Sequence, residues 1–219
     1  MNYYVIFLGV LVLLLLYVLY INYVSTPSKL TALVDLKTQN TSIPYTNLAN
    51  RDSTRYSYSV WIYVNSWSSD NVKKILSRGN DFSLSLEKNT PTLRCNIASS
   101  VPSSSNSDII ITNNFPIQKW SYVIISVDNQ IIDLYLDGKL VLSTKLNNIP
   151  LVSTSNIKLG DDNPSDIFLA NLVRLPTPMD PQTAWSNYLS GNGMNSSSNL
   201  NIKLSVLQDN IQQKEFTLF

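Results

Sequence analysis

The segment from Trp120 to Leu142 constrains the fold more than any other part of the chain. Trp120-Ser121-Tyr122-Val123-Ile124-Ile125-Ser126-Val127 runs into Asp128-Asn129. Ile131-Ile132-Asp133-Leu134-Tyr135-Leu136 then runs into Asp137-Gly138, and Lys139-Leu140-Val141-Leu142 follows. Val, Ile and Tyr suit a pleated, half-buried surface. Asp-Asn marks a turn, and Asp-Gly supplies the positive φ that a tight hairpin turn requires. The pattern predicts three antiparallel strands in a meander.

The same period of two recurs along the chain. Tyr58, Val60, Ile62 and Val64 alternate with Ser57, Ser59, Trp61 and Tyr63, which predicts a strand with an aliphatic inner and an aromatic outer face. Lys74-Ile75-Leu76-Ser77 ends at the turn Arg78-Gly79-Asn80-Asp81. Phe82 to Leu86 and Leu93 to Ile97 alternate, and the latter places Cys95 beside Leu93 and Ile97 as a core thiol. Asp108 to Ile111, Ile157 to Gly160 and Ile167 to Leu175 add strands. Asp180-Pro181 reads as an N-cap and first helical residue, with a helix to Leu189 and a stop at Gly191. Lys203 to Leu207 and Glu215 to Phe219 read as a closing hairpin around Gln208-Asp209-Asn210. The fold class expected is all-β: a two-sheet antiparallel jelly-roll sandwich with one short helix.

The amino-terminal end differs in kind. No charged side chain occurs from Tyr3 to Val24, and Val5 to Leu19 is almost wholly aliphatic. About 20 such residues span a hydrocarbon core of about 30 Å. Tyr3, Tyr4, Tyr17, Tyr20 and Tyr23 lie toward its ends, as interfacial aromatics do. A cleaved signal peptide is the rival; the run is long for one, and no Lys or Arg precedes it. The organisation expected is a transmembrane anchor over 1–24, a linker over 25–44 within a polar lead-in to about residue 55, and the sandwich over 45–219. Lys29, Lys37, Arg51 and Arg55 follow the span, which favours a cytosolic carboxy-terminal domain. A single cysteine agrees, since it forms no internal disulfide. Asn40-Thr41-Ser42 and Asn195-Ser196-Ser197 match the glycosylation sequon, as chance allows in a chain rich in Asn and Ser.

Tyr58-Ser59-Val60-Trp61-Ile62-Tyr63-Val64, the Trp120 strand, Leu134-Tyr135-Leu136-Asp137-Gly138-Lys139 and Ile157-Lys158-Leu159-Gly160 together resemble the concanavalin A-like, laminin-G-like jelly roll over about residues 45–190. Pro178 to Gly193, with the Leu207-Gln208-Asp209-Asn210 tail, resembles the version carried by large nucleocytoplasmic DNA viruses. That resemblance implies a membrane-anchored virion protein, a minor capsid component linking an inner membrane to the capsid shell. Its partners would be the lipid membrane and capsid proteins, with the sandwich on the cytosolic, capsid-facing side.

Chemistry narrows the choice. Retaining glucanases need two carboxyl groups about 5–5.5 Å apart. This chain has only two glutamates, Glu87 and Glu215, far apart in sequence, and no histidine for a triad or a His-ligated zinc site. No enzyme is expected. Net charge is +1 with no basic block, so nucleic acid is not an expected partner. No cofactor is expected, with one candidate to weigh. Asp161, Asp162 and Asp166 share a loop and supply three oxygen ligands toward calcium, as laminin-G-like rims do; a solvated turn is the alternative. Trp61, Tyr63 and Trp67 are candidates for stacking on sugar rings, in a membrane-tethered lectin-like module, or for packing within the protein or against a neighbour. Trp185 and Tyr188 share a helix face and are expected to dock on the sandwich.

Overall fold

The computed structural model describes residues 3–24, 28–38, 41–101, 107–192, 203–208 and 211–217, with side chains over 7–19, 29–38, 41–101 and 107–192. The meander forms as its turn chemistry dictates. Strands β8 (Ser121–Asp128), β9 (Ile131–Leu136) and β10 (Lys139–Lys145) pair antiparallel, with Leu136 opposite Lys139 across the Asp137-Gly138 turn. Both turn residues have positive φ, 48° and 75°. That is the two-residue geometry whose twist matches paired strands.

Long-range pairing then builds two six-stranded sheets. Strand β3 (Arg55–Val64) lies between β8 and β12 (Ile167–Leu175), and β12 in turn pairs with β1 (Ser28–Asp35). The first sheet runs β1-β12-β3-β8-β9-β10. The second contains β2 (Thr41–Ile43), β11 (Ile157–Leu159), β4 (Lys73–Arg78), β5 (Phe82–Leu86), β6 (Leu93–Ile97) and β7 (Ser107–Thr112), in that spatial order. Every pairing is antiparallel. One core joins the two inner faces, with Val60, Ile62, Val123 and Leu134 from the first sheet and Leu84, Leu93, Cys95 and Leu159 from the second. Alternation along each strand puts these apolar positions on one side.

Helix α2 (Pro181–Leu189) starts where expected. Asp180 caps it, its Oδ1 accepting from the Thr183 amide at 2.9 Å, and Gly191 follows with a φ of 77°. The helix and Met179 cover the outer face of the first sheet over Trp61, Tyr122, Ile124, Tyr135 and Ala170. The aromatic outer face predicted for β3 is therefore largely a second buried layer.

The linker expected over 25–44, and the wider polar lead-in, need correction. β1 is an edge strand of the first sheet and β2 an edge strand of the second, and Val34, Leu36 and Ile43 are buried. Arg174, fully buried, donates to the carbonyls of Ala49 and Asn50 and lies over the rings of Tyr56 and Tyr58, so the lead-in is tied to the sandwich. A register shift between Lys29 and Thr31 breaks the period of two in β1, which hides it from pattern reading.

Helix α1 (Tyr3–Val24) is continuous over 22 residues. Among the described residues no helix is long and apolar enough to cross a membrane. The structure thus has a helix where the span is expected and does not show a crossing. At the other end, β13 (Lys203–Gln208) and β14 (Ile211–Thr217) form a separate two-stranded sheet. The second strand begins earlier than expected. The turn residues Asp209 and Asn210, both sequon asparagines Asn40 and Asn195, and Gly193 lie outside the described residues.

Candidate functional site

Two loops meet at one rim of the sandwich. β3 hands over to β4 through residues 65–72, and β11 hands over to β12 through 160–166. Asp166 ties them. Its carboxylate accepts from Asn65 Nδ2 at 2.9 Å and Ser66 Oγ at 2.6 Å, and its carbonyl accepts from the Asn65 amide at 3.0 Å. The Ser66 and Asn65 hydrogen bonds hold the Asp166 carboxyl below the usual carboxylate range. Asn71 Nδ2 reaches Asn163 Oδ1 at 3.4 Å, bridging the loops a second time.

Between the loops lies a cleft of about 400 Å³, walled by Lys37, Ser68, Asp70, Lys73 and Asn163 among others. Lys73 is buried. Its Nζ donates to the carbonyls of Asn71 at 3.2 Å and Lys88 at 3.4 Å, and sits 4.0 Å from the Trp67 ring centroid. Burial lowers its pKa, and Asp70 opposes that shift. Trp67 is half-buried and packs against the core. The cleft offers hydroxyl, amide, carboxylate and ammonium groups. That inventory suits a polyhydroxylated ligand held by hydrogen bonds.

The predicted site residues divide. None of the three aromatic candidates lines the cleft; Trp67 comes nearest, packed against the core with the Lys73 ammonium over its ring. Trp61 is buried beneath α2, stacked between Tyr122 at 4.9 Å and Tyr188 at 5.6 Å, so it offers no face to a sugar. Tyr63 is half-buried on the outer sheet face with Trp120 and Phe168, at 5.4 Å and 6.3 Å. The calcium triplet does not assemble. Asp161 Oδ1 accepts from the Asn163 amide at 2.9 Å, while Asp166 faces Asn65 and Ser66. Among the described residues no group of three or more His, Cys, Asp or Glu side chains is placed to hold a metal ion. An Asx turn spends a carboxylate on its own loop, and these two spend theirs on different partners.

Other chemistry-bearing groups are occupied. Cys95 is fully buried and burial pushes its thiol up, which disfavours the reactive thiolate. Glu87 is held by Thr90 and Arg94, which lower its pKa, and Arg94 also pairs with Asp108. A carboxylate held ionised is a poor general acid. Lys37, Asp70, Lys73 and Asn163 escaped sequence reading. The one available signal was a tryptophan in the middle of Asn65-Ser66-Trp67-Ser68-Ser69-Asp70-Asn71, where a turn alone needs no aromatic.

Comparison with known proteins agrees with the architecture. Residues 36–174 match the family described as the concanavalin A-like lectin/glucanases superfamily. No curated protein matches the chain. Among solved structures, the binding domain of botulinum neurotoxin DC in complex with rat synaptotagmin II is 19% identical with a TM-score of 0.54, covering 68% of this chain and 38% of that one. A structure described by the dependence of botulinum neurotoxin type C cell entry on two ganglioside molecules is 19% identical, with a TM-score of 0.52 and the same coverages, 68% and 38%. The binding domain of Paraclostridial Mosquitocidal Protein 1 is 13% identical with a TM-score of 0.59, covering 72% and 42%. At these identities the likeness establishes the fold. The chain spans about two fifths of the length of those chains.

Proposed function

This chain belongs to the concanavalin A-like lectin/glucanases superfamily, and from that premise we propose that it is a non-catalytic, membrane-tethered scaffold. Helix α1 is the tether and the sandwich docks on protein lying close above the membrane. The observation that carries this reading is the spacing between α1 and β1. The helix ends at Val24 and an edge strand of the first sheet begins at Ser28. The four Cα-to-Cα steps from Val24 to Ser28 reach about 14 Å at most. A domain held that near a bilayer is suited to bridging it to an adjacent layer.

The tether itself rests on length and chemistry. Twenty-two helical residues rise about 33 Å, beside a hydrocarbon core of about 30 Å. The sequence over that helix carries no charge, and the apolar side chains over 7–19 are exposed. Exposed Lys29 and Lys37, followed by Arg51 and Arg55, favour a cytosolic sandwich. In a particle with an internal membrane inside a protein shell, that face meets the shell. The finer form of the proposal is therefore a virion protein, a minor capsid component joining inner membrane to capsid.

A second reading has its own observation. The cleft lined by Lys37, Ser68, Asp70, Lys73 and Asn163 is stocked for a sugar, and one similar structure belongs to a toxin whose cell entry depends on two gangliosides. That reading is a tethered lectin-like module.

One experiment separates them. Twenty Gly and Ser residues are inserted between Val24 and Ser28 of the full chain. The scaffold reading expects retention in membranes after carbonate extraction, with association with the overlying protein layer sharply reduced. The lectin reading expects glycan binding unchanged by the insertion and lost in Asp70→Ala, a change to the cleft wall. Release of the unmodified full chain by carbonate would remove the tether from both.

A further inference from the structure

The far edge of the first sheet is open. β10 is the last strand in that sheet, paired on one side with β9 alone. Its other side carries backbone N–H and C=O groups that no strand among the described residues meets. Six of its seven residues are exposed, among them Leu140, Val141 and Leu142 in succession. Edge strands are ordinarily blunted by shortness, bulges, charged side chains or a covering element. The other edges are: β2 is three residues long, and β1 is bulged and tucks Val34 into the core, whereas the one register shift of β10, between Leu140 and Leu142, leaves both of those side chains exposed. β7 carries the Asp108–Arg94 ion pair. β10 keeps its charges at its two ends, Lys139 and Lys145.

Those charges select a partner. Antiparallel pairing of two copies along this edge brings the Lys139 end of one against the Lys145 end of the other, twice over. Like charges directly opposite are destabilising. Neither lysine makes an ion pair among the described residues. The nearby carboxylates are engaged: Asp133 accepts from Ser143 Oγ at 2.5 Å, and Asp137 accepts from Lys119 Nζ at 3.1 Å and the Tyr122 amide at 2.9 Å. The edge therefore presents an apolar centre between two unneutralised ammonium groups. Beside it, α2 packs over the β9–β10 turn, with Trp185 close to Gly138, and exposes Trp185 and Leu189, one helical turn apart. A strand added about 4.8 Å beyond β10 would set its outward side chains near that apolar helix face.

We propose that β10 is a docking edge that accepts, by antiparallel strand addition, an extended segment of a partner protein whose alternating apolar residues are flanked by acidic side chains. Main-chain hydrogen bonds supply affinity and the two lysines supply register and selectivity. The inference rests on the scaffold reading for the occasion of contact, and names the chemistry of the contacting partner.

The test uses the full chain in detergent micelles and two peptides, Asp-Val-Thr-Ile-Thr-Val-Asp and Lys-Val-Thr-Ile-Thr-Val-Lys. Hydrogen exchange is followed over residues 139–145. The acidic peptide, at up to millimolar concentration, is expected to slow exchange there and to bind about tenfold more tightly than the basic one, two reversed charge pairs being worth about that much. The double variant Lys139→Glu, Lys145→Glu keeps the exposed strand and is expected to reverse the preference. No slowing by the acidic peptide, equal binding of both peptides, or concentration-dependent self-association that protects the same amides would each overturn the proposal. The exchange measurement does not depend on membrane retention, so failure of the scaffold reading leaves it readable.

Discussion

The ammonium of Lys73, a residue that lines the rim cleft, lies 4.0 Å from the ring centroid of Trp67. A buried lysine is costly unless its charge is engaged. Here the ring face and two backbone carbonyls engage it. Lys73→Met keeps the stem but leaves those carbonyls unpaired, and is expected to cost about 1–2 kcal/mol. In a urea-denaturation double-mutant cycle with Trp67→Leu, the coupling energy is expected at about 0.5–2 kcal/mol. A coupling near zero would show that the contact contributes nothing.

Gly138 and Gly191 make a matched pair for testing turn geometry. Both have positive φ, 75° and 77°. A Cβ on Gly138 would sit 2.9 Å from Tyr188 Cβ and 3.0 Å from Trp185 Cε3, whereas one on Gly191 meets nothing within 4 Å. Gly138→Ala therefore adds a clash with α2 to the strain both share. We expect it to cost about 3 kcal/mol, against about 1 kcal/mol for Gly191→Ala. Thermal melts of the two variants decide the matter, and equal losses would mean that α2 yields freely.

Trp61 is a structural residue by its burial. Trp61→Ala should cost about 3–5 kcal/mol, because the cavity it leaves lies between Tyr122 and Tyr188 under α2. Partly exposed Trp185 should cost much less on truncation. Chemical denaturation of both variants tests the contrast, and a neutral Trp61→Ala would restore it as a surface aromatic.

Asp166 should impose a pH dependence. Its carboxyl has a lower pKa in the folded chain than the ordinary 3.8, chiefly through Ser66. A depressed carboxylate contributes stability that is present above the unfolded value and lost as pH falls through the folded one. Asp166→Asn should be less stable than the parent at neutral pH, and the gap should close below about pH 3.8. A gap that persists unchanged in acid would mean that the charge is not what ties the loops.

What could be read locally was read well. β12 and α2 begin and end as their residues announce, because alternation, the Asp180 cap and the stop at Gly191 act within a few residues. The β8–β10 meander follows from Asp137-Gly138 for the same reason. The family likeness was also legible, since it rests on those local segments.

Three things were decided only in three dimensions. β1 is a strand because β12, nearly a hundred and fifty residues later, pairs with it: Ser28 lies opposite Arg174. Its own bulged pattern carries too little signal to announce a partner that far away. Trp61 is buried because α2 folds back over the sheet, and outward-facing positions of a strand look alike in sequence whether or not a helix covers them. The cleft exists because Asp166 bonds to Asn65 and Ser66, about a hundred residues apart in the chain. The sequence by itself determined the strand period, the tight turns, the helix cap and the long apolar helix. Tertiary structure decided which faces are covered and which carboxylates are spent, because both depend on neighbours that only folding brings together.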